Sequence, residues 1–209
     1  MPESGSTAHE TGRRLGRVDS FSDGLFAIAA TLLALSIDIP NVPESELNGA
    51  LDGLFPSVLA YFISFAVVGL FWLRHHEFFG RLQASDSRLA AINLVFLSFV
   101  ALLPVPTEIL GRYDNSPAPV VIYAVFILVL SGLLRALFDH ARRADLLAPG
   151  QHVPVDNAGA LGVLTAFGLS IPLAYVDPDY GMYCWILAAV LPRLLRRLGV
   201  GGRSVRPEA

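Results

Sequence analysis

The stretch Arg17-Val-Asp-Ser-Phe-Ser-Asp23 runs without a break into Gly24-Leu-Phe-Ala-Ile28-Ala-Ala-Thr31-Leu32-Leu-Ala-Leu35-Ser-Ile37. An arginine and two aspartates thus stand at the mouth of an apolar segment long enough to enter a bilayer. An ionisable side chain within a membrane span is costly and marks a functional site or a structural partner inside the bundle. The fold turns on whether the rest of the chain supplies such a bundle.

Composition says that it does. The 209 residues are 54% hydrophobic and only 16% charged, and the mean hydropathy is +0.56. A soluble domain carries about a quarter charged residues. The charges cluster between apolar runs, each close to the roughly 20 residues needed to cross about 30 Å of hydrocarbon. Six runs are read: Val18 to Ile39, Leu54 to Leu73, Leu89 to Leu110, Val120 to Phe138, Asn157 to Tyr175 and Tyr180 to Leu198. The expectation is an all-α integral membrane protein with six transmembrane helices over 17–198, between polar tails at 1–16 and 199–209. The N-terminal residues lack a short apolar core with a small-residue cleavage site, so no signal peptide is expected and 1–16 reads as a disordered tail. The single cysteine, Cys184, excludes an internal disulfide.

The arginines orient the bundle. Arg13, Arg14 and Arg17 precede the first run; Arg74, Arg81 and Arg88 bracket the second connection. Arg135, Arg142 and Arg143 flank the fourth connection, and Arg193, Arg196, Arg197, Arg203 and Arg206 follow. Arg112 alone falls on the other side, among Asp38, Glu44, Glu46, Asp52, Glu108, Asp114, Asp177 and Asp179. The positive-inside rule then places both termini in the cytoplasm and the acidic loops outside, in a multi-pass inner (plasma) membrane protein. The acidic rim concentrates cations through its summed field, or simply follows from the insertion rule. The basic C-terminal end fits anionic lipid heads, or again only the topology.

Within the first helix, Gly24, Thr31, Leu32, Leu35 and Ile39 fall within about 60° of Ile28 at about 100° per residue. This stripe is apolar except for the Thr31 hydroxyl. Ala27, Ala30 and Ala34 form a flank suited to close helix contact. The pattern fits a central helix packed all round, or the wall of a narrow pore with a dewetting constriction. Asp23 points away from the stripe and reads as an interhelical hydrogen-bond hub rather than a pore ligand. His75, His76 and Asn93 are its candidate partners at the same depth.

Other constellations fall short. His75, His76 and Glu77 are consecutive on a helix and cannot converge on one metal as an i, i+4 pair can; no metal or other cofactor is expected. Ser170 sits in Gly-Leu-Ser-Ile-Pro, which lacks the second glycine of a hydrolase elbow, and no histidine sits within any of the six runs, so an enzyme is not expected. A T-V-G-Y-G filter is absent, and no helix carries the arginine ladder of a voltage sensor. A secondary cation carrier or exchanger is the main alternative, but Asp23, Asp38 and Glu108 lie near helix ends and leave the midplane apolar. A scaffold role is open physically, although the loops are short; no nucleic-acid partner is expected.

The signature R-x-x-x-F-S-D, with the apolar helix that follows, resembles the pore helix of the transmembrane-protein-175 family, the non-voltage-gated potassium channels of bacteria and endolysosomes. The resemblance continues in F-W-L-R-H-H-E-F-F, Phe71 to Phe79, and L-L-P-V-P-T-E-I-L, Leu102 to Leu110. The last three helices match only as apolar spans. The resemblance implies a homotetramer, embedded in membrane lipid, in which the first helix alone lines the pore. It implies a constriction at Ile28 with further rings at Leu32 and Leu35, and selectivity or hydration at Thr31. Arg17, Phe21, Ser22 and Asp23 would hold that helix with His75, His76 and Asn93. Potassium is the implied permeant ion. The motif occurs once, whereas animal members carry two repeats per chain, so the bacterial four-subunit form is implied.

Overall fold

The computed structural model describes residues 3–37, 39, 41–113, 116–151 and 157–185. Among them every regular element is helical, and the one β feature is an isolated bridge between Leu82 and Leu147. The helices are α1 (Glu3–Leu32), α2 (Leu47–Asp52), α3 (Phe55–Phe79), α4 (Ser87–Leu102), α5 (Pro104–Arg112), α6 (Pro117–Arg143) and α7 (Asn157–Ala174). A further helical stretch, α8, covers 178–185. Among the described residues four segments are long and apolar enough to cross a membrane: Gly12–Ser36, Phe55–Phe79, Ser87–Arg112 and Pro117–Arg143; Leu161–Ala174 is a shorter apolar helix. Most of the sixth apolar run and the tail at 199–209 lie outside the described residues, as do Asp38 and Asp114.

Three local features depart from the hydropathy reading. The polar N-terminal stretch continues α1 back to Glu3 instead of forming a disordered tail. Once the apolar segment has nucleated a helix, each added residue gains a hydrogen bond at low cost. At its other end α1 stops at Leu32 and tightens into a 3₁₀ turn, Leu33–Ser36. Ser36 donates to Leu33 O at 2.7 Å there, satisfying a carbonyl that the tightened turn frees. The third apolar run breaks after Leu102, and α5 restarts with Pro104 in its first turn, where a missing N–H is harmless.

The described chain forms two compact units. The first comprises Met1–Asp114 and Gly132–Val153. Its core is aromatic: the His75 ring stacks on Phe79 at 4.3 Å and lies 5.5 Å from Phe26, while Phe78 meets Phe138 at 4.5 Å. Lipid tails are as apolar as leucine, so this interlocking, rather than escape from water, holds the helices together. Helices α3 and α5 approach closely at Gly111. A Cβ there would stand 2.7 Å from the Ser57 Cα, and the Ser57 hydroxyl donates to Gly111 O at 3.1 Å. Thr107 of α5 donates within 2.8 Å of the buried Ser64 hydroxyl on α3. The bridge at Leu82 ties the α3–α4 loop to the segment after α6, with Gln83 N donating to Leu146 O and Ala148 N to Arg81 O.

The second unit, Asn115–Ser131 with Pro154–Ala209, packs α7 and α8 against the first half of α6. Trp185 lies 4.9 Å from Tyr123 and 5.5 Å from Phe167. Gly181 admits the contact, since a Cβ would meet Val120 Cγ1 at 2.8 Å and Ser170 O at 3.0 Å.

Helix α4 opens on a well-made cap. Asp86, just outside the spanning segment, accepts from the Leu89 amide at 2.6 Å and faces His140 Nε2 of α6 at 2.9 Å. The amide bond, then the His140 contact, hold the Asp86 carboxyl below its ordinary value of 3.8. A carboxylate depressed in the folded state stabilises fully above its unfolded value, and that contribution is lost as pH falls through the folded value. Asp86→Ala is therefore expected to cost about 1 kcal/mol, the usual worth of a helix cap. In thermal unfolding of the detergent-solubilised protein, the gap between wild type and Asp86→Ala should narrow as pH falls from about 5 to about 3. A gap independent of pH over that range would refute the assignment.

Candidate functional site

Helix α1 presents two different faces. Ser22, Phe26, Ala29, Leu33 and Ser36 are buried at helical spacing and form the face that packs into the first unit. Ile28 is 60% exposed, Leu32 40% and Leu35 77%, so the apolar stripe is uncovered in the single chain. The 3₁₀ turn keeps Leu35 in line, because residues three apart eclipse one another in that geometry. Thr31 is also exposed, and its hydroxyl donates to Ile28 O at 2.8 Å. The alanine flank is not the face that packs on α3 and α4: Ala27 and Ala34 are exposed. The bundle instead selects the face carrying Phe26 and Leu33, whose bulk fills the space that alanine leaves empty.

A polar chain fixes this rotation. Ser22 donates to Val18 O at 2.8 Å and accepts from Asn93 Nδ2 of α4 at 3.0 Å. The Asn93 Oδ1 lies 2.8 Å from His75 Nε2 of α3. With its amide nitrogen directed to Ser22, Asn93 can only accept from the imidazole, so His75 carries its proton on Nε2. Ser22, His75 and Asn93 are all buried. The His75 Nδ1 atom is buried with no hydrogen-bond partner among the described residues. One residue from each of three helices is thereby locked to the others in a setting without water to take their place.

Asp23 belongs to a second, more open cluster. It accepts from the Trp72 indole of α3 at 2.8 Å, and its carboxylate lies 3.9 Å from His76 Nδ1. Trp72 stacks on His76 at 5.5 Å. Of the three partners named for Asp23 from sequence, His76 is therefore beside it, whereas Asn93 bonds to Ser22 and His75 bonds to Asn93. Trp72 went unrecognised, although it precedes His76 by four residues and so shares its helix face. Arg17 and Phe21 are exposed.

Asp19, Asp23 and His76 bring one ligand atom each within 4.8 Å of one another, and Asp19 Oδ1 is buried without a partner among the described residues. Asp23 already commits an oxygen to Trp72. Three groups so placed supply charge and hydrogen bonds at the foot of α1 but fall one short of the usual closed tetrahedral set. His75 and Glu77 take no part in the group.

Long apolar helices, buried polar contacts between them and apolar faces left bare on α1 and on its neighbours define a polytopic α-helical membrane protein. Comparison with known proteins supplies the family. Residues 17–104 match the model of the endosomal/lysosomal potassium channel TMEM175. A protein named potassium channel from Streptomyces collinus is 36% identical over 172 residues, covering 78% of this chain and 83% of that protein. The endosomal/lysosomal proton channel TMEM175 of Mus musculus is 38% identical over 110 residues, covering 48% of this chain but 22% of that protein. The crystal structure of a lysosomal potassium-selective channel TMEM175 homolog from Chamaesiphon minutus matches with a TM-score of 0.71 and 27% identity, over 88% of this chain and 98% of that one. The chain belongs to the TMEM175 family, a family of ion channels and not of enzymes.

The two polar clusters should respond differently to mutation. Asn93→Leu strands the His75 N–H in the core, at about 1–3 kcal/mol for a buried unpaired group, and takes from the Ser22 oxygen its donor while Ser22 still donates to Val18 O. His76→Ala removes a half-exposed ring at ordinary surface cost, about 0.5 kcal/mol or less. Thermal unfolding in detergent should therefore show a large loss for Asn93→Leu and a small one for His76→Ala. Equal losses would mean that the buried chain does not fix the helix.

Proposed function

We propose that this protein is a potassium-preferring cation channel of the bacterial inner membrane, conducting passively through a homotetramer of six-span subunits. The single observation that carries the reading is the division of α1. Its inner face is tied to α3 and α4, while Ile28, Leu32 and Leu35 remain uncovered as a continuous stripe. Four copies facing one axis would turn that stripe into stacked apolar rings, with Ile28 as the constriction and Thr31 beside it for selectivity or hydration. The open flank of Ala27 and Ala34 then suits close approach between neighbouring α1 helices. The names of relatives from Streptomyces and Chamaesiphon, both potassium channels, support the ion.

The remaining assignments follow the same reading. Residues 17–198 make one channel domain, and the tails at 1–16 and 199–209 are cytoplasmic, as the arginine distribution requires. Arg17, Phe21, Ser22 and Asp23 hold the pore helix, the last two through His75, His76, Asn93 and Trp72. An apolar ring gates by excluding water, so widening or wetting it changes conduction directly.

The test is potassium-driven flux into liposomes carrying the purified protein, wild type beside Ile28→Asn, with sodium as the competing cation. Wild type should favour potassium, and Ile28→Asn should change rate or selectivity by about tenfold or more, the scale of a single hydrophobic barrier of some 1.4 kcal/mol. No cation flux in either protein would refute the channel reading. Unchanged flux in Ile28→Asn would remove the constriction from that ring.

A further inference from the structure

We infer a binding site for a phosphate-bearing anion, the headgroup of an anionic lipid, in the basic cavity between α4 and the C-terminal half of α6. The cavity has a volume of about 590 Å³ and is lined by Arg88, Ile92, Arg135, Asp139, His140 and Arg143, among others. Its charges are unequally satisfied. Arg135 is paired with Asp139 at 3.1 Å, and His140 with Asp86 at 2.9 Å. Arg88 and Arg143 have no ion-pair partner among the described residues, and both are exposed. Two uncompensated guanidinium groups, one from each helix, thus border a cavity whose one acid among the described lining residues, Asp139, is already paired.

The position in the membrane selects the ligand. Arg88 is the second residue of the spanning segment Ser87–Arg112, and Arg143 is the last of Pro117–Arg143. Both therefore stand at helix ends, at the level where headgroups lie. Between them Gly132 and Ala136, on the same face of α6, and Ile92 of α4 leave an apolar floor open toward the spanning part of the helices. Guanidinium forks bind phosphate oxygens in paired hydrogen bonds, and basic pockets between spanning helices are suited to anionic headgroups. A zwitterionic lipid would bring its own cation to the same place and gain less. A free phosphate ester shares the chemistry but makes no use of the apolar floor.

The proposal is independent of conduction, since the readout is binding. Lipid retained by the purified full-length protein would be measured by native mass spectrometry after titration with phosphatidylglycerol or phosphatidylcholine. Inorganic phosphate would be added as a competitor. Variants are Arg88→Gln with Arg143→Gln, and Arg142→Gln as a control outside the cavity lining. These arginines are exposed, where substitutions rarely disturb folding. Wild type should prefer phosphatidylglycerol, and the double variant should weaken that binding on the order of tenfold, with Arg142→Gln unchanged. Failure of millimolar phosphate to displace the lipid assigns the site to a headgroup. Displacement overturns the lipid and leaves a free phosphate ester as the ligand. Equal retention of the two lipids by wild type, or a preference that survives the double substitution, would overturn the site altogether.

Discussion

The structure depends on one short chain of hydrogen bonds: Ser22 of α1 to Asn93 of α4, and Asn93 to His75 of α3. In a soluble protein, water could replace any of these partners. Inside a bilayer an unmade hydrogen bond goes uncompensated, so the three side chains specify one another strongly. Apolar packing alone is a weak guide to helix rotation when lipid and leucine are equivalent solvents. The aromatic rings around His75 add close fit, but the polar chain chooses which face of α1 turns inward. By fixing that face it also fixes which face is left bare.

Much of this was legible in the sequence because membrane insertion writes coarse signals. Long apolar runs and the alternation of arginines with acids pointed to an all-α bundle, and the R-x-x-x-F-S-D signature pointed to the family that the comparisons bear out. Polar residues near helix ends at matching depths singled out His75, His76 and Asn93 as partners of Asp23, and the signature singled out Ser22. Their pairing was not legible, since depth along the membrane does not say which of two neighbouring polar residues, Ser22 or Asp23, meets a given partner. Trp72 escaped for a related reason: an indole reads as apolar by composition, while its N–H still needs an acceptor when it lies against another helix.

Helix periodicity also misled where the helix is not ideal. The alanine flank is suited to close approach, but periodicity does not say to which partner, and within the first unit α1 packs on Phe26 and Leu33. The break at Leu103 and the 3₁₀ turn at Leu33–Ser36 required knowledge of how the ends of each run are satisfied, which a hydropathy profile lacks. The basic cavity was hidden for another reason. Its arginines were all counted as topology signals, and only the folded chain separates Arg135, which has a carboxylate partner, from Arg88 and Arg143, which have none among the described residues.

The central claim is that the buried chain aims the Ile28 stripe at an axis shared by several subunits. It is tested most directly by cysteine cross-linking in native membranes, in a background carrying Cys184→Ser. Ile28→Cys should form inter-subunit disulfides under mild oxidation, because rings at a narrow axis bring their Cβ atoms within bonding range. Ala29→Cys, one residue on and buried against the first unit, should not. Cross-linking through Ala29→Cys but not Ile28→Cys would contradict the account.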